Sequence, residues 1–93
     1  MINNVKIFVM TKGIANAIDN GLLSENEIHN SISRFMCEDW GDICEDDKEM
    51  NVVNDIWCML LGSYSVSDEK IWIIANAIDE SSRVVTVLFP SEY

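Results

Sequence analysis

Seven of the chain's sixteen acidic residues fall within twelve consecutive positions, Glu38-Asp39-Trp40-Gly41-Asp42-Ile43-Cys44-Glu45-Asp46-Asp47-Lys48-Glu49. Lys48 is the one base among them, so the block carries a formal charge of −6 at neutral pH. Carboxylates at this density could serve acid–base catalysis, cation binding or attraction of a basic surface. Carboxylates so numerous and exposed are ordinarily solvated, which leaves them without the shifted acidity that catalysis uses. The run lacks the Asp/Asn-Gly register of an EF-hand loop, so calcium would bind there only weakly and without selectivity. Attraction of a basic surface needs nothing more than density and exposure. Trp40 stands in the middle of the block, beside Gly41. An indole among carboxylates is either an apolar anchor for a partner or a plug that pins the loop against the helices. The plug is the preferred reading, because an exposed indole in a soluble monomer is the rarer case. The partner-binding candidates are Glu38, Asp39, Trp40, Asp42, Glu45, Asp46, Asp47 and Glu49.

Other chemistry finds little footing. A single histidine, His29, makes a Ser-His-Asp or Cys-His triad improbable. No P-loop or dinucleotide fingerprint is present. Cys37, Cys44 and Cys58 form an odd set with no C-x-x-C pair, which reads as reduced thiols. Their spacings, with or without His29, match no common zinc motif. No catalytic residue, metal or cofactor is expected, and the chain reads as a protein that is not an enzyme.

Ninety-three residues make one domain, spanning 1–93, with enough length for a single modest core. The formal charge of −10 argues against direct binding of nucleic acid, which needs a basic face for phosphates. It also disfavours anionic membranes. It suits a soluble protein that meets a basic partner, or one kept soluble by repulsion. No apolar run approaches the ~20 residues of a membrane-spanning helix. The start of the chain lacks the basic region of a signal peptide, so a cytoplasmic location is expected.

Hydrophobic patterning supplies the elements that must carry the acidic block. Val5–Thr11 reads as a strand with Val5, Ile7 and Val9 on one face and Phe8 and Met10 on the other. Thr11 is positioned to cap a short helix through Ile14, Ala17 and Ile18, stopped by Gly21. Ser24 and Glu27 have capping-box spacing ahead of a helix whose apolar stripe is Ile28, Ile32, Phe35 and Met36. His29 falls off that stripe, as a solvated residue does. Asp42 or Cys44 is expected to cap a third helix, with Met50, Val53 and Trp57 at helical spacing, Trp57 alternatively falling in the transition to a strand. Met59–Val66, Lys70–Ala75 and Arg83–Phe89 read as strands joined by turns at Ser67-Asp68-Glu69 and Ile78–Ser82, and Pro90 ends the last one. Gly62 marks a bulge or a close approach. The expected fold is α+β in two layers: a four-stranded, mainly antiparallel sheet in the order β-α-α-α-β-β-β, with the helices on one face. The opposite face, with some of Phe8, Met10, Tyr64, Trp72 and Leu88, is more apolar than a free face needs. A terminus or a second protomer, in a homodimer through the sheet face, is expected to cover it, and Trp72 and Val85 are expected to be largely shielded, either in the core or at a self-association surface.

Several blocks together resemble a known group. Thr11-Lys12-Gly13-Ile14 resembles a T-R-G-[IV] opening. Asp39-Trp40-Gly41-Asp42-Ile43-Cys44 with Glu45-Asp46-Asp47-Lys48 resembles a G-D-W-G-D-[LM]-C-x-E-D-K block. Leu61–Tyr64, Lys70–Ile74 and Thr86–Tyr93 resemble L-G-A-Y, K-I-[WY]-I-I-T and T-T-[IV]-L-F-P-x-E-Y. The group consists of small proteins of phages, plasmids and integrative elements of Gram-positive bacteria, labelled plasmid-related protein or type I restriction subunit. The chain departs from it at Lys12, where arginine is usual, at Glu38, where glycine is usual, and across Asn76–Glu80, where the group has a shorter E-A-D-R segment. The resemblance implies a mobile-element setting. Small acidic proteins of such elements often inhibit host defence. The expected function is therefore inhibition of a host defence nuclease, anti-CRISPR or anti-restriction, through an acidic surface that mimics DNA on a basic nucleic-acid-binding partner. The alternatives are a small-ligand binder, for example for a nucleotide signal held by Lys12, Arg34, Lys70 or Arg83, and an accessory subunit of a phage or plasmid complex.

Overall fold

A computed structural model describes residues 1–93. The elements in chain order are β1 (Val5–Met10), α1 (Lys12–Asp19), α2 (Glu25–Met36), α3 (Glu45–Glu49), β2 (Leu60–Val66), β3 (Glu69–Asp79) and β4 (Ser82–Leu88), followed by a 3-10 turn over Pro90–Glu92. The α+β architecture and the element order are those the patterning predicts. No helix is long and apolar enough to cross a membrane.

The last three strands form an antiparallel meander, and β1 adds to it in parallel beside β4, giving the sheet order β1-β4-β3-β2. Between β2 and β3 only Ser67 and Asp68 remain in the loop, at φ of 50° and 67°. Two left-handed residues in series give the twist that a two-residue hairpin requires. β3 runs four residues beyond its predicted end at Ala75, because β4 supplies partners: Asn76 pairs with Val84 and Ala77 with Arg83. Cross-strand pairing thus outweighs the weak strand preference of Asn and Ala. The register stays continuous through Gly62, so of its two predicted roles close approach is the one observed: a Cβ there would overlap the Tyr64 ring.

Local signals set the first two helices. The Thr11 hydroxyl accepts from Ile14 N–H at 3.3 Å, and left-handed Gly21 ends the first helical segment at φ 75°. Ser24 Oγ accepts from Glu27 N–H at 3.4 Å. The reciprocal half of the capping box is absent. Ser24 N–H donates instead to Ser67 Oγ (3.2 Å), and the Ser67 hydroxyl donates to the Glu27 carboxylate (2.8 Å). A side chain of the β2–β3 turn thereby ties the start of α2 to the sheet. The third helix is much shorter than predicted. It ends at Glu49, so Met50, Val53 and Trp57 lie in an irregular segment rather than on a helical stripe. Asn51, Asn54 and Asp55 explain this, since such side chains compete for backbone groups and favour turns.

The core lies between the sheet and α1 and α2. Ile14, Ile28 and Phe35 pack there with Leu60, Tyr64, Ile71, Ile73 and Val85, all fully enclosed. Burial of each large apolar side chain stabilises the fold by roughly 1.5–3 kcal/mol. Of the five residues from which the opposite face is expected to draw some, three are on this one. Tyr64 is in the core, and Phe8 and Met10 pair with core residues Val85 and Val87. Position at the sheet edge leaves Phe8 and Met10 exposed even so. The opposite face carries Trp72, half-buried and packed edge-on against Tyr93 with ring centroids 5.8 Å apart. Residues at the end of the described chain therefore cover part of that face. Ile7, Phe8, Val9 and Met10 of the β1 edge are all exposed, as is Ile78 near the end of β3.

Candidate functional site

The acidic block begins where α2 stops. Glu38 adopts a left-handed φ of 65°, which turns the chain back across the helix end, and its carboxylate meets the Met1 amino group. The Asp39 carboxylate then accepts from Arg34 Nε at 2.8 Å and Nη2 at 3.4 Å, and from Gly41 N–H at 3.2 Å. The guanidinium, and after it the Gly41 amide, hold the Asp39 carboxyl below the usual carboxylate range, and the same pairing raises Arg34. Arg34 also lies over the Tyr64 ring, 5.1 Å from its centroid. The Tyr64 hydroxyl donates to the Asp39 carbonyl at 2.8 Å, and burial pushes its ionisation upward.

Trp40 follows and is 8% exposed. Its ring meets Phe35 edge-on, with centroids 5.3 Å apart. Its carbonyl accepts from Ser63 N–H (3.0 Å), and Asp42 N–H donates to the Ser63 carbonyl (2.8 Å). Trp40–Asp42 thus lie along the outer edge of β2 as a one-residue bridge. Gly41 makes this approach possible. Its φ is 72°, and a Cβ would overlap the Ser63 carbonyl. Two residues along β2, the Asn51 side chain closes the edge further, donating to Leu61 C=O (2.8 Å) and accepting from Leu61 N–H (3.0 Å).

α3 carries the rest of the block. Cys44 is its N-cap and makes no side-chain capping bond. Glu45, Asp46 and Asp47 occupy the first turn, where the helix dipole offsets part of their repulsion. Lys48 Nζ lies 3.3 Å from Glu45.

The eight candidate residues therefore divide into three groups. Trp40 is in the core and offers no surface to a partner. Glu38, Asp39 and Glu45 are exposed but paired within the chain, with Met1, Arg34 and Lys48. Asp42, Asp46, Asp47 and Glu49 are exposed and lie in no ion pair. No group of three His, Cys, Asp or Glu side chains is arranged to hold a metal ion, and the three cysteines are free.

An apolar neighbour of this surface escaped the sequence reading. Trp57 is 67% exposed, and Met50 and Val52 are exposed with it. The Cys58 thiol donates to the Met50 carbonyl at 3.1 Å, and the Asp55 carboxylate accepts from Trp57 N–H at 3.0 Å. These bonds fold residues 50–58 into a tight loop that brings Cys58, next to Trp57 in the chain, back to Met50 after α3. The signal is in the turn-forming Asn51, Asn54 and Asp55, which disfavour the helix that Met50, Val53 and Trp57 would otherwise continue. Compared with models of known protein families, with curated proteins and with solved structures, the chain matches none.

Proposed function

We propose that this chain is a non-enzymatic interaction protein of a mobile genetic element that inhibits a host defence nuclease, a CRISPR effector or a restriction enzyme, in the host cytoplasm. It does so by laying its acidic edge on the partner's basic nucleic-acid-binding surface. The observation that carries the reading is the set of four unpaired, exposed carboxylates, Asp42, Asp46, Asp47 and Glu49, on a segment bonded to the β2 edge. Such a set attracts a basic channel at long range and speeds encounter. Trp57, exposed in the loop that follows α3, supplies an apolar anchor of the kind that dominates interface energetics.

The test is a variant in which Asp42, Asp46 and Asp47 become Asn and Glu49 becomes Gln. Pull-down from the host with the unaltered protein identifies the partner, and affinity is then compared for both forms. The variant is expected to fold normally and to bind at least tenfold more weakly. The affinity of the unaltered protein should fall as salt screens charges beyond about 8 Å. Equal affinity of the two forms at low salt would overturn the reading.

A further inference from the structure

Arg83 is 2% exposed, yet it lies in none of the chain's ion pairs, in a protein with sixteen carboxylates. It stands near the start of β4, and its Nη2 donates to the carbonyls of Val53 (2.9 Å) and Asp55 (2.8 Å). Asp55 contributes its backbone oxygen, while its carboxylate is turned to Trp57 N–H. Arg83 Nε is enclosed without a partner. Nη1 takes part in no hydrogen bond of the protein, and unlike Nε it is not among the sealed polar atoms. A guanidinium this enclosed, with only Nη2 bonded within the protein, leaves Nη1 as the nitrogen that a counter-charge from outside can complete.

The space for one is present. Arg83 lines a recess of about 140 Å³ with Asn3, Asn4, Val53, Asn54 and Ile56. The side-chain amides of Asn3, Asn4 and Asn54 make no hydrogen bond within the protein, so they are free to donate. Asn4 holds a left-handed φ of 68°, and its carbonyl accepts from Arg83 N–H at 2.8 Å, which fixes the rim against β4. No carboxylate lines the recess. A cation would meet only neutral amides and a guanidinium, whereas an anion would meet a positive donor and amide N–H groups. Sites for drug-sized ligands run to roughly 300–1,000 Å³, and a cavity of about 150 Å³ takes a molecule the size of benzene. The recess is thus too small for a nucleotide and suited to a single phosphate, sulfate or carboxylate group.

We infer that Arg83 and the asparagine rim form a binding site for one small oxyanion, with Arg83 Nη1 as the charged donor. The site is independent of the acidic edge and of the partner proposed for it.

The experiment titrates the intact protein with inorganic phosphate, and separately with acetate, at constant ionic strength, following backbone and arginine side-chain N–H resonances. The expected result is saturable shifts confined to residues 3–4, 53–56 and 83, with a thermal midpoint that rises with ligand concentration. Phosphate acting alone would identify an inorganic ligand, and acetate acting as well or better would identify a carboxylate. Because Arg83 tethers the 53–55 loop, its removal risks unfolding. Asn54→Asp is the informative variant, since it places a carboxylate at the recess. It should raise the midpoint without added anion and weaken the anion response at least tenfold. Absence of saturable shifts with both anions up to about 0.1 M, far above the roughly millimolar Kd of a weak site, would overturn the proposal. So would an Asn54→Asp protein that responds as the parent does.

Discussion

The Thr11 hydroxyl donates to Glu92 Oε1 at 2.7 Å, joining residues 81 positions apart. The same Thr11 oxygen caps α1 through Ile14 N–H, and the same Glu92 oxygen accepts from Phe89 N–H at 2.8 Å. The start of α1, the end of β4 and the Pro90–Glu92 turn are thereby held in one knot. Gly13 belongs to it, since a Cβ there would stand 2.5 Å from Glu92 Oε2.

This knot predicts a pH dependence. The Phe89 amide first, and then the Thr11 hydroxyl, hold the Glu92 carboxyl below its ordinary value of 4.5. A carboxyl whose folded pKa is depressed stabilises the fold above the unfolded pKa, and that stability is lost as pH falls through the folded pKa. Glu92→Gln should lower the thermal midpoint at pH 6 and flatten its decline below about pH 4.5 relative to the parent. Asp39 and Asp79 titrate low in both proteins, so the difference between the two curves isolates Glu92. Coincident curves from pH 6 to pH 3 would show that the bonds to Glu92 contribute nothing, and parallel but offset ones that its ionisation is not coupled to folding.

A second prediction separates backbone strain from steric conflict. Gly21 and Gly41 share a left-handed φ, but a Cβ at Gly21 meets open space while one at Gly41 meets the Ser63 carbonyl. Gly21→Ala should destabilise by about 1 kcal/mol, the conformational term alone. Gly41→Ala should exceed it by roughly 1–3 kcal/mol, because the Trp40–Asp42 bridge must move off β2. Urea denaturation of the two variants measures the difference directly, and equal losses would refute the close approach.

The rerouted cap gives a third. Ser24→Ala should cost about 0.5–2 kcal/mol. Ser67→Ala should cost a similar amount, because it removes both the acceptor for Ser24 N–H and the donor to Glu27. The two residues share partners, so a double-mutant cycle should give a coupling of roughly 0.5 kcal/mol or more. Additive losses would mean that the turn and the helix start are independent.

What could be read in advance followed from local chemistry. Thr11 and Ser24 announced their helices by cap spacing, Gly21 announced a stop, and the alternating runs announced the meander. What could not be read depended on residues distant in sequence. Nothing near Glu27 indicated that its carboxylate would turn to Ser67, 40 positions away. Which face Phe8 and Met10 take could not be read, because the face of an edge strand is set by its neighbour's register, here Val85 and Val87 of β4. Arg83 is, in the sequence, one of a few bases at the start of a strand, since burial without a counter-charge is a property of the assembled fold. Within the acidic block, charge and exposure were legible from composition, while the pairing of Asp39 with Arg34 required α2 to end where it does.

The last prediction rests on two tryptophans with opposite environments. Trp40 is packed on Phe35 in the core, and its backbone bridges to Ser63, whereas Trp57 stands 67% exposed in the loop after α3. Trp40→Ala should therefore destabilise the fold by roughly 3–5 kcal/mol, as truncation of a large core side chain does. Loss of partner binding in that variant would follow from unfolding and should be recovered at lower temperature, where enough folded protein persists. Trp57→Ala removes little buried surface, so its stability should stay within about 0.5 kcal/mol of the parent. If Trp57 anchors the acidic edge on its partner, its removal should weaken binding by 1–2 kcal/mol or more, mostly through faster dissociation. The carboxylate variant should instead slow association and lose its salt dependence. Surface plasmon resonance on the two variants, with thermal melts on the same samples, separates these effects. A Trp57→Ala protein that melts and binds as the parent does would remove the indole from the interface and leave the carboxylates to act alone.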